Sequence, residues 1–232
     1  MSIHFHPHAD TASMAAVIAT ELLAACQRAR HEERSPLLAL AGGNTPLPAY
    51  RALAANLGDM ALTVIPSDER CVPHDDPACN FDALRRFFAD ARGVRCLPLT
   101  TADGIAPDSL KLARDTLATL PMFDATVLGM GADGHFASLF PGSAGLAGGL
   151  DPRTEDDAIA LMPAHLPAEA PYERITLTLP RLLRSRHVML VISGEAKRDV
   201  LESAMTREAD PIRCPVAALL RAAPALSVHW SP

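Results

Sequence analysis

Short apolar runs alternate with amphipathic stretches along the whole chain. Such runs predict buried strands, and apolar residues three and four positions apart predict helices. The predicted strands are residues 3–6, 36–41, 62–65, 94–97, 125–128, 174–179, 188–193 and 226–230, with an extended segment near 159–162. The predicted helices are residues 11–30, a helix from 46, one from about 80, 108–120 and 194–205. This order predicts an α/β fold: a mostly parallel open sheet with helices on both faces, and a short extra β segment near the C-terminal third.

The length of 232 residues fits one large domain or two small ones, and we expect a single domain over residues 1–232. Hydrophobic residues make up 49% and charged residues 21%, as in an ordinary globular protein. The chain contains no internal repeat or low-complexity linker. Residues 142–157 are rich in glycine, alanine and acids, which predicts a mobile loop rather than a domain boundary.

The net charge and the cysteines indicate which binding partners and which cellular compartment to expect. The formal charge of −6, with no basic block, argues against nucleic acid. No apolar run approaches the roughly 18 residues of a membrane span, and MSIHFHPHADTAS lacks the order of a signal peptide. The five scattered cysteines argue against a disulfide framework and favour a reducing, cytoplasmic setting. Without H-x-x-x-H, H-E-x-x-H or paired cysteines, we expect no metal.

A glycine fingerprint stands in mid-chain, where Gly129, Gly131 and Gly134 form G-x-G-x-x-G. A dinucleotide site also requires a helix that begins at these glycines and a second, acid-tipped strand about 20 residues later. Pro141 leaves little room for that helix, and the following GLAGGLDPR does not resemble a strand. The motif is therefore interpreted as a turn that delivers Asp133 and His135 above the sheet.

Polar clusters follow four of the predicted strands. Their sequences are GGNTP at residues 42–46, SDER at 67–70, GMGADGH at 129–135 and SGEAK at 193–197. Ligands of open α/β sheets bind outside the carboxyl ends of the strands. If the sheet is parallel, the four clusters meet at one edge and form a ligand site.

Two of these clusters have the chemistry of an anion site. Gly42 and Gly43 allow close backbone approach, Asn44 and Thr45 add side-chain donors, and helix N-termini attract anions. Lys197 stands in the first turn of a predicted helix, where a cation opposes the helix dipole unless an anion lies between them. The structural alternatives are a plain tight turn and a solvated lysine.

The other two clusters hold candidate catalytic groups. Asp68 and Arg70 can share one face of a strand while Glu69 points away, although a surface ion pair would look the same. His135, with Asp133 nearby, is the best candidate for a general base. The alternative is a structural histidine that caps the turn.

The segments AGGNTPLPAYRAL, SDERCVPHDDPACNFDALRR, LGMGADGHFASLFPGS, RITLTLPRL and VISGEAKRDVL resemble, in order and spacing, the 6-phosphogluconolactonases. The likeness runs over residues 5–230. It implies a Rossmann-like three-layer fold, similar to that of glucosamine-6-phosphate deaminases and sugar-phosphate isomerases. It also implies hydrolysis of 6-phospho-D-glucono-1,5-lactone in the pentose phosphate pathway, without metal or cofactor. We expect a monomer or weak homodimer.

The resemblance also suggests roles for individual residues. The implied catalytic residues are His135, Asp133, Arg70 and Asp68, with amides of the glycine turn stabilising the oxyanion. The implied substrate and phosphate ligands are Gly42, Gly43, Asn44, Thr45, Arg70, Gly131, Gly134, Arg174 and Lys197. Asn44, Cys79 and His229 replace the family's usual serine, serine and tyrosine. There are two alternatives: a deaminase or isomerase, and a non-catalytic sugar-phosphate-binding protein. Arg70 and the LFP that follows the DGH turn argue against a deaminase.

Overall fold

The computed structural model describes residues 2–164 and 172–232, and its main sheet has seven strands. The strand order is β1-β10-β9-β6-β2-β3-β5, and every neighbouring pair is parallel. These strands are β1 (Ser2–Pro7), β2 (Leu37–Leu40), β3 (Leu62–Pro66), β5 (Val94–Cys96), β6 (Ala125–Gly129), β9 (Val188–Ser193) and β10 (Ala225–Ser231). The prediction of a mostly parallel sheet is confirmed.

Helices cover both faces of this sheet. They are α1 (Thr11–His31), α2 (Leu47–Asn56), α3 (Asn80–Phe87), α4 (Ala106–Ala118), α5 (Leu146–Leu150), α6 (Leu179–Leu183), α7 (Glu195–Ala204) and α8 (Val216–Ala222). Successive residues of β2 enter opposite cores: Leu38 and Leu40 pack with α1 to α3, whereas Leu37 and Ala39 pack with the later helices. The predicted three-layer arrangement is therefore confirmed. Within the described ranges, no helix has the length and apolarity needed to cross a bilayer.

The extra β segment predicted from the sequence is part of a second, antiparallel sheet. Its three strands lie in the order β4-β8-β7, which are Asp68–Arg70, Arg174–Leu177 and Ala158–Leu161. Only Ser67 separates β3 from β4. The cluster SDER, which follows the predicted strand 62–65, thus supplies a further strand, because β8 is its pairing partner.

Three short helices were not predicted. α5 lies within residues 142–157, where Leu146 and Leu150 are buried, so the prediction of a mobile loop there is wrong for this part. α6 follows β8 directly, and the predicted strand 174–179 ends at Leu177. α8 follows Pro215. None of the three exceeds seven residues, which is too short for a helical period to stand out.

Candidate active site

A cavity of about 430 Å³ opens at the carboxyl edge of the main sheet. All four polar clusters contribute to its wall, as expected for a parallel sheet. The lining includes Gly42, Gly43, Asn44, Thr45, Asp68, Arg70, Asn80, Gly131, His135 and Lys197. Asp133, Gly134 and Arg174, which the sequence also suggested, are not among the lining residues. Within the described part of the chain, no group of histidines, cysteines and acids is arranged to hold a metal ion.

The loop at residues 42–45 presents unused donors to this cavity. It connects β2 to α2, and Gly43 adopts a φ of +87°, which favours glycine. Among the residues that the structure describes, none accepts a hydrogen bond from the backbone amides of this loop. The side chains of Asn44 and Thr45 also make no hydrogen bond there. Four amides near the N-terminus of α2 are therefore available to an anion.

The turn at residues 129–135 is different, because the amides of both Gly131 and Gly134 are engaged. The amide of Gly131 donates to His135 O (2.9 Å), and that of Gly134 donates to Gly131 O (3.1 Å). A Cβ on Gly131 would lie 2.2 Å from the His135 ring. Gly134, with a φ of +79°, lies against Cys214. The two glycines shape the turn, and in this structure their amides are not free to stabilise an oxyanion.

The imidazole of His135 is held by the carboxylate of Asp133. The Nδ1–Oδ1 distance is 2.6 Å, and the backbone amide of His135 also donates to Oδ1. Burial raises the pKa of Asp133, but the hydrogen bond from His135 and its charge outweigh burial, so the pKa lies below its usual range. An ionised carboxylate only accepts, which places the proton of neutral His135 on Nδ1 and leaves Nε2 as a basic lone pair.

Arg70 and Asp68 lie on the cavity side of β4, while Glu69 turns toward α3, as the alternation predicted. Arg70 Nη1 donates to Ala78 O (2.9 Å) and to Asn80 Oδ1 (2.5 Å). Its Nε is buried and makes no hydrogen bond with the described residues. Asp68 accepts hydrogen bonds from the hydroxyls of Ser67 (3.0 Å) and Ser138 (2.5 Å).

Sequence reasoning missed Asn80, which lines the cavity. Its Nδ2 donates to Asp68 O (2.8 Å), and its Oδ1 accepts a hydrogen bond from Arg70 Nη1. A Cβ on Gly42 would lie 2.2 Å from Asn80 Oδ1, so the amide also abuts the loop at residues 42–45. The available signal was a polar residue at the start of α3, but nothing in the sequence shows which way it faces.

The three candidate cations occupy different positions. Lys197 lies in the first turn of α7 and makes no hydrogen bond or ion pair with the described residues. Burial lowers its pKa, while the charge of Asp133 opposes that shift. Arg174 is only 3% exposed, and its Cζ lies 5.6 Å from the centroid of Phe140. Arg70 and Lys197 therefore line the cavity, and Arg174 stands behind one of its walls.

Known proteins resemble the chain over its whole length. The family model described as glucosamine-6-phosphate isomerases/6-phosphogluconolactonase matches residues 9–230. A protein of Pseudomonas aeruginosa named 6-phosphogluconolactonase is 34% identical over 227 residues, which cover 96% of this chain and 92% of the relative. One of Rhizobium meliloti with the same name is 33% identical, with full coverage of both chains.

Solved structures agree in fold. The crystal structure of a 6-phosphogluconolactonase from Shewanella baltica is 28% identical, with a TM-score of 0.89 over 100% of this chain and 98% of that one. A monomeric glucosamine-6-phosphate deaminase is 18% identical, with a TM-score of 0.80 over 100% and 97% of the two chains. At that identity only the fold is shared.

Proposed function

The chain belongs to the family of glucosamine-6-phosphate isomerases and 6-phosphogluconolactonases, and we propose that it hydrolyses 6-phospho-D-glucono-1,5-lactone to 6-phospho-D-gluconate. Full-length relatives that carry the lactonase name support this activity, which belongs to the pentose phosphate pathway. One observation carries the proposal: an imidazole fixed by a carboxylate shares a cavity with four amides and a lysine that have no partner among the described residues. We also propose that the whole chain forms one domain.

The base in this proposal is His135. Its Nε2 takes a proton from a water molecule as that water attacks C1 of the lactone, and Asp133 stabilises the imidazolium that forms. The imidazolium then protonates the departing ring oxygen, which returns the histidine to its neutral state. General base catalysis of this kind contributes about 10²–10⁴-fold. No covalent intermediate is needed, because a lactone is an activated ester.

The donor for the developing oxyanion is Arg70 in this proposal. The amides of Gly131 and Gly134 are engaged in the turn, whereas Arg70 lines the cavity. Its guanidinium group can donate a hydrogen bond to a substrate oxygen on which negative charge develops. Asp68 is held by two hydroxyls and can accept from a substrate hydroxyl, and its charge stabilises that of Arg174.

The phosphate lies at the loop of residues 42–45, with Lys197 as its counter-ion. Backbone amides and the dipole of α2 favour a doubly charged group at this place. The phosphate is remote from C1, so its binding energy serves to orient the lactone against His135. Arg174 supports the site from behind Phe140 in this scheme.

We further propose that the protein works in the cytoplasm as a monomer or weak homodimer. All five of its cysteines are free, which suits a reducing compartment. The partner is a small sugar phosphate, and the net charge of −6 disfavours nucleic acid.

The test follows freshly generated 6-phosphogluconolactone and records the formation of 6-phosphogluconate against the spontaneous rate. The proposal expects hydrolysis far above that background. Release of ammonia from glucosamine 6-phosphate would instead indicate a deaminase. Binding of 6-phosphogluconate without any rate above background would indicate a non-catalytic sugar-phosphate-binding protein.

A further inference from the structure

Glu69 is a buried carboxylate beside the cavity that has no role in the reaction proposed above. It lies in β4 between Asp68 and Arg70, and none of its surface is exposed. Its neighbours face the cavity, whereas Glu69 faces the first turn of α3. Burial of a carboxylate costs free energy unless hydrogen bonds compensate it. Its partners therefore indicate what it does.

The two oxygens of Glu69 are hydrogen-bonded almost entirely to backbone amides. Oε1 accepts from the amides of Arg70 and Asn80, both at 2.8 Å. Oε2 accepts from the amide of Phe81 (2.6 Å) and lies 3.5 Å from the thiol of Cys79. The carboxylate thus joins β4 to the N-terminus of α3, where the helix dipole favours a negative charge.

The residue that this contact fixes most directly is Asn80. Its side-chain amide accepts a hydrogen bond from the guanidinium of Arg70 (2.5 Å) and donates one to the backbone carbonyl of Asp68 (2.8 Å). It also lies so close to Gly42 that a Cβ there would be 2.2 Å away. A shift of the first turn of α3 would therefore move both Arg70 and the loop at residues 42–45.

We propose that Glu69 is a positioning residue for substrate binding: it clamps the N-terminus of α3 and, through Asn80, sets Arg70 and the loop at residues 42–45. It does not touch the substrate. This inference rests on the proposed function, in which Arg70 and that loop contact the sugar phosphate.

The clamp weakens as the solution becomes acidic. Burial raises the pKa of Glu69 to about 7, against the effect of its three amide hydrogen bonds, and the charge of Asp68 adds to the rise. A protonated carboxyl carries a donor where an amide also donates, so one hydrogen bond is lost as pH falls through 7. The charged and titratable groups around it are Asp68, Arg70, Cys71, Cys79 and Arg174. The pKa values of both thiols are raised, so neither thiol titrates near 7.

The first experiment compares Glu69→Gln with Glu21→Gln, which removes a partly buried carboxylate on α1 near His187 and His229. Because the glutamine amide puts donors against the amides of α3, KM for the lactone should rise about tenfold in Glu69→Gln. The dissociation constant of 6-phosphogluconate should rise with it, and kcat should also fall by up to about tenfold, because a displaced Arg70 no longer meets the developing oxyanion. Glu21→Gln should change none of these constants. Unchanged values of both KM and the product dissociation constant would overturn the proposal, whatever happens to kcat.

The pH profile separates positioning from a merely structural role. In the wild type, KM should rise as pH falls through 7; in Glu69→Gln it should be high throughout, and Glu69→Asp should restore part of the dependence. Since the pKa is raised from 4.5 on folding, the wild-type charge destabilises the fold as pH rises toward 7. The melting temperature of Glu69→Gln relative to wild type should accordingly be higher at pH 8 than at pH 5. An unchanged pH profile of KM would contradict the clamp.

A double-mutant cycle that combines Glu69→Gln with Asn80→Ala tests whether Glu69 acts through Asn80. If Glu69 acts through Asn80, the double variant should bind 6-phosphogluconate about as weakly as the weaker single variant. Additive losses would refute that route. Should the wild type show no lactonase rate, the proposed function fails, and binding of 6-phosphogluconate and inorganic phosphate to the same variants still decides the role of Glu69.

Discussion

Two glycine-rich loops lie at the same edge of the sheet, one at residues 42–45 after β2 and the other at residues 129–135 after β6. The first leaves its backbone amides without partners among the described residues. The second uses the amides of Gly131, Gly134 and His135 inside its own turn. Loops of similar composition therefore differ in where their hydrogen bonds go.

This difference indicates that the two loops have different functions. A loop with unused amides beside a helix N-terminus can bind an anion by donating several hydrogen bonds to it. A turn with three satisfied amides can hold one side chain in a fixed direction, here the imidazole of His135. In our account the first loop binds the substrate and the second performs the chemistry, so variants of the two should affect different constants.

The largest effect should come from His135→Ala. Loss of the base should lower kcat by at least about 10²-fold, because the other base of the turn, Asp133, has a pKa below its usual range and accepts protons poorly. The affinity for 6-phosphogluconate should change little, which titration calorimetry measures. His31→Ala, at the end of α1 and outside the cavity, is the matched control. If kcat barely moves, the base is another group.

Gly131→Ala should produce the next largest effect. The added methyl group would lie 2.2 Å from the His135 ring and 2.6 Å from Asp133 Oδ1, so the imidazole must move. A displacement of about 1 Å costs up to roughly 10²-fold in rate. We expect kcat to fall by about tenfold or more, with product affinity kept. Weakened product binding at unchanged kcat would remove the distinction between the loops.

Lys197→Met should affect binding instead. A charge-assisted hydrogen bond is worth about 1.5–3 kcal/mol, so the dissociation constant of phosphorylated ligands should rise about 10- to 100-fold. The value of kcat at saturation should remain within a few-fold. Gluconolactone, which lacks the phosphate, serves as the control substrate. An equal loss with that substrate would show that Lys197 does not serve the phosphate.

Gly43→Ala should give the smallest effect, and Gly58→Ala is its matched control. Both glycines have positive φ, +87° and +57°, and neither would meet an atom within 4 Å of an added Cβ. Each substitution should cost about 1–2 kcal/mol of folding free energy through backbone strain. Only Gly43→Ala should also raise KM, by a few-fold, because Gly58 precedes β3 at the opposite edge of the sheet. Equal KM values for the two variants would argue against an anion site at the loop.

The sequence was sufficient for the parts of the fold that long apolar runs determine. The parallel strands followed from those runs, and parallel pairing alone brings residues 42–45, His135 and Lys197 to one cavity. The sequence was not sufficient where a contact joins residues that are far apart in the chain. The pairing of β4 with β8 and the contacts of Asn80 are of this kind. The use of each glycine amide depends on backbone angles, so composition could not distinguish the two loops.

The most direct test is a titration of the isotope-labelled protein with 6-phosphogluconate, followed by amide resonances. Our account predicts large shifts for the amides of Gly42, Gly43, Asn44 and Thr45, because these donors gain an anionic acceptor. The amides of Gly131 and Gly134 should move little, since their acceptors stay within the turn. Large shifts at Gly131 and Gly134 with none at residues 42–45 would contradict the division of work between the two loops.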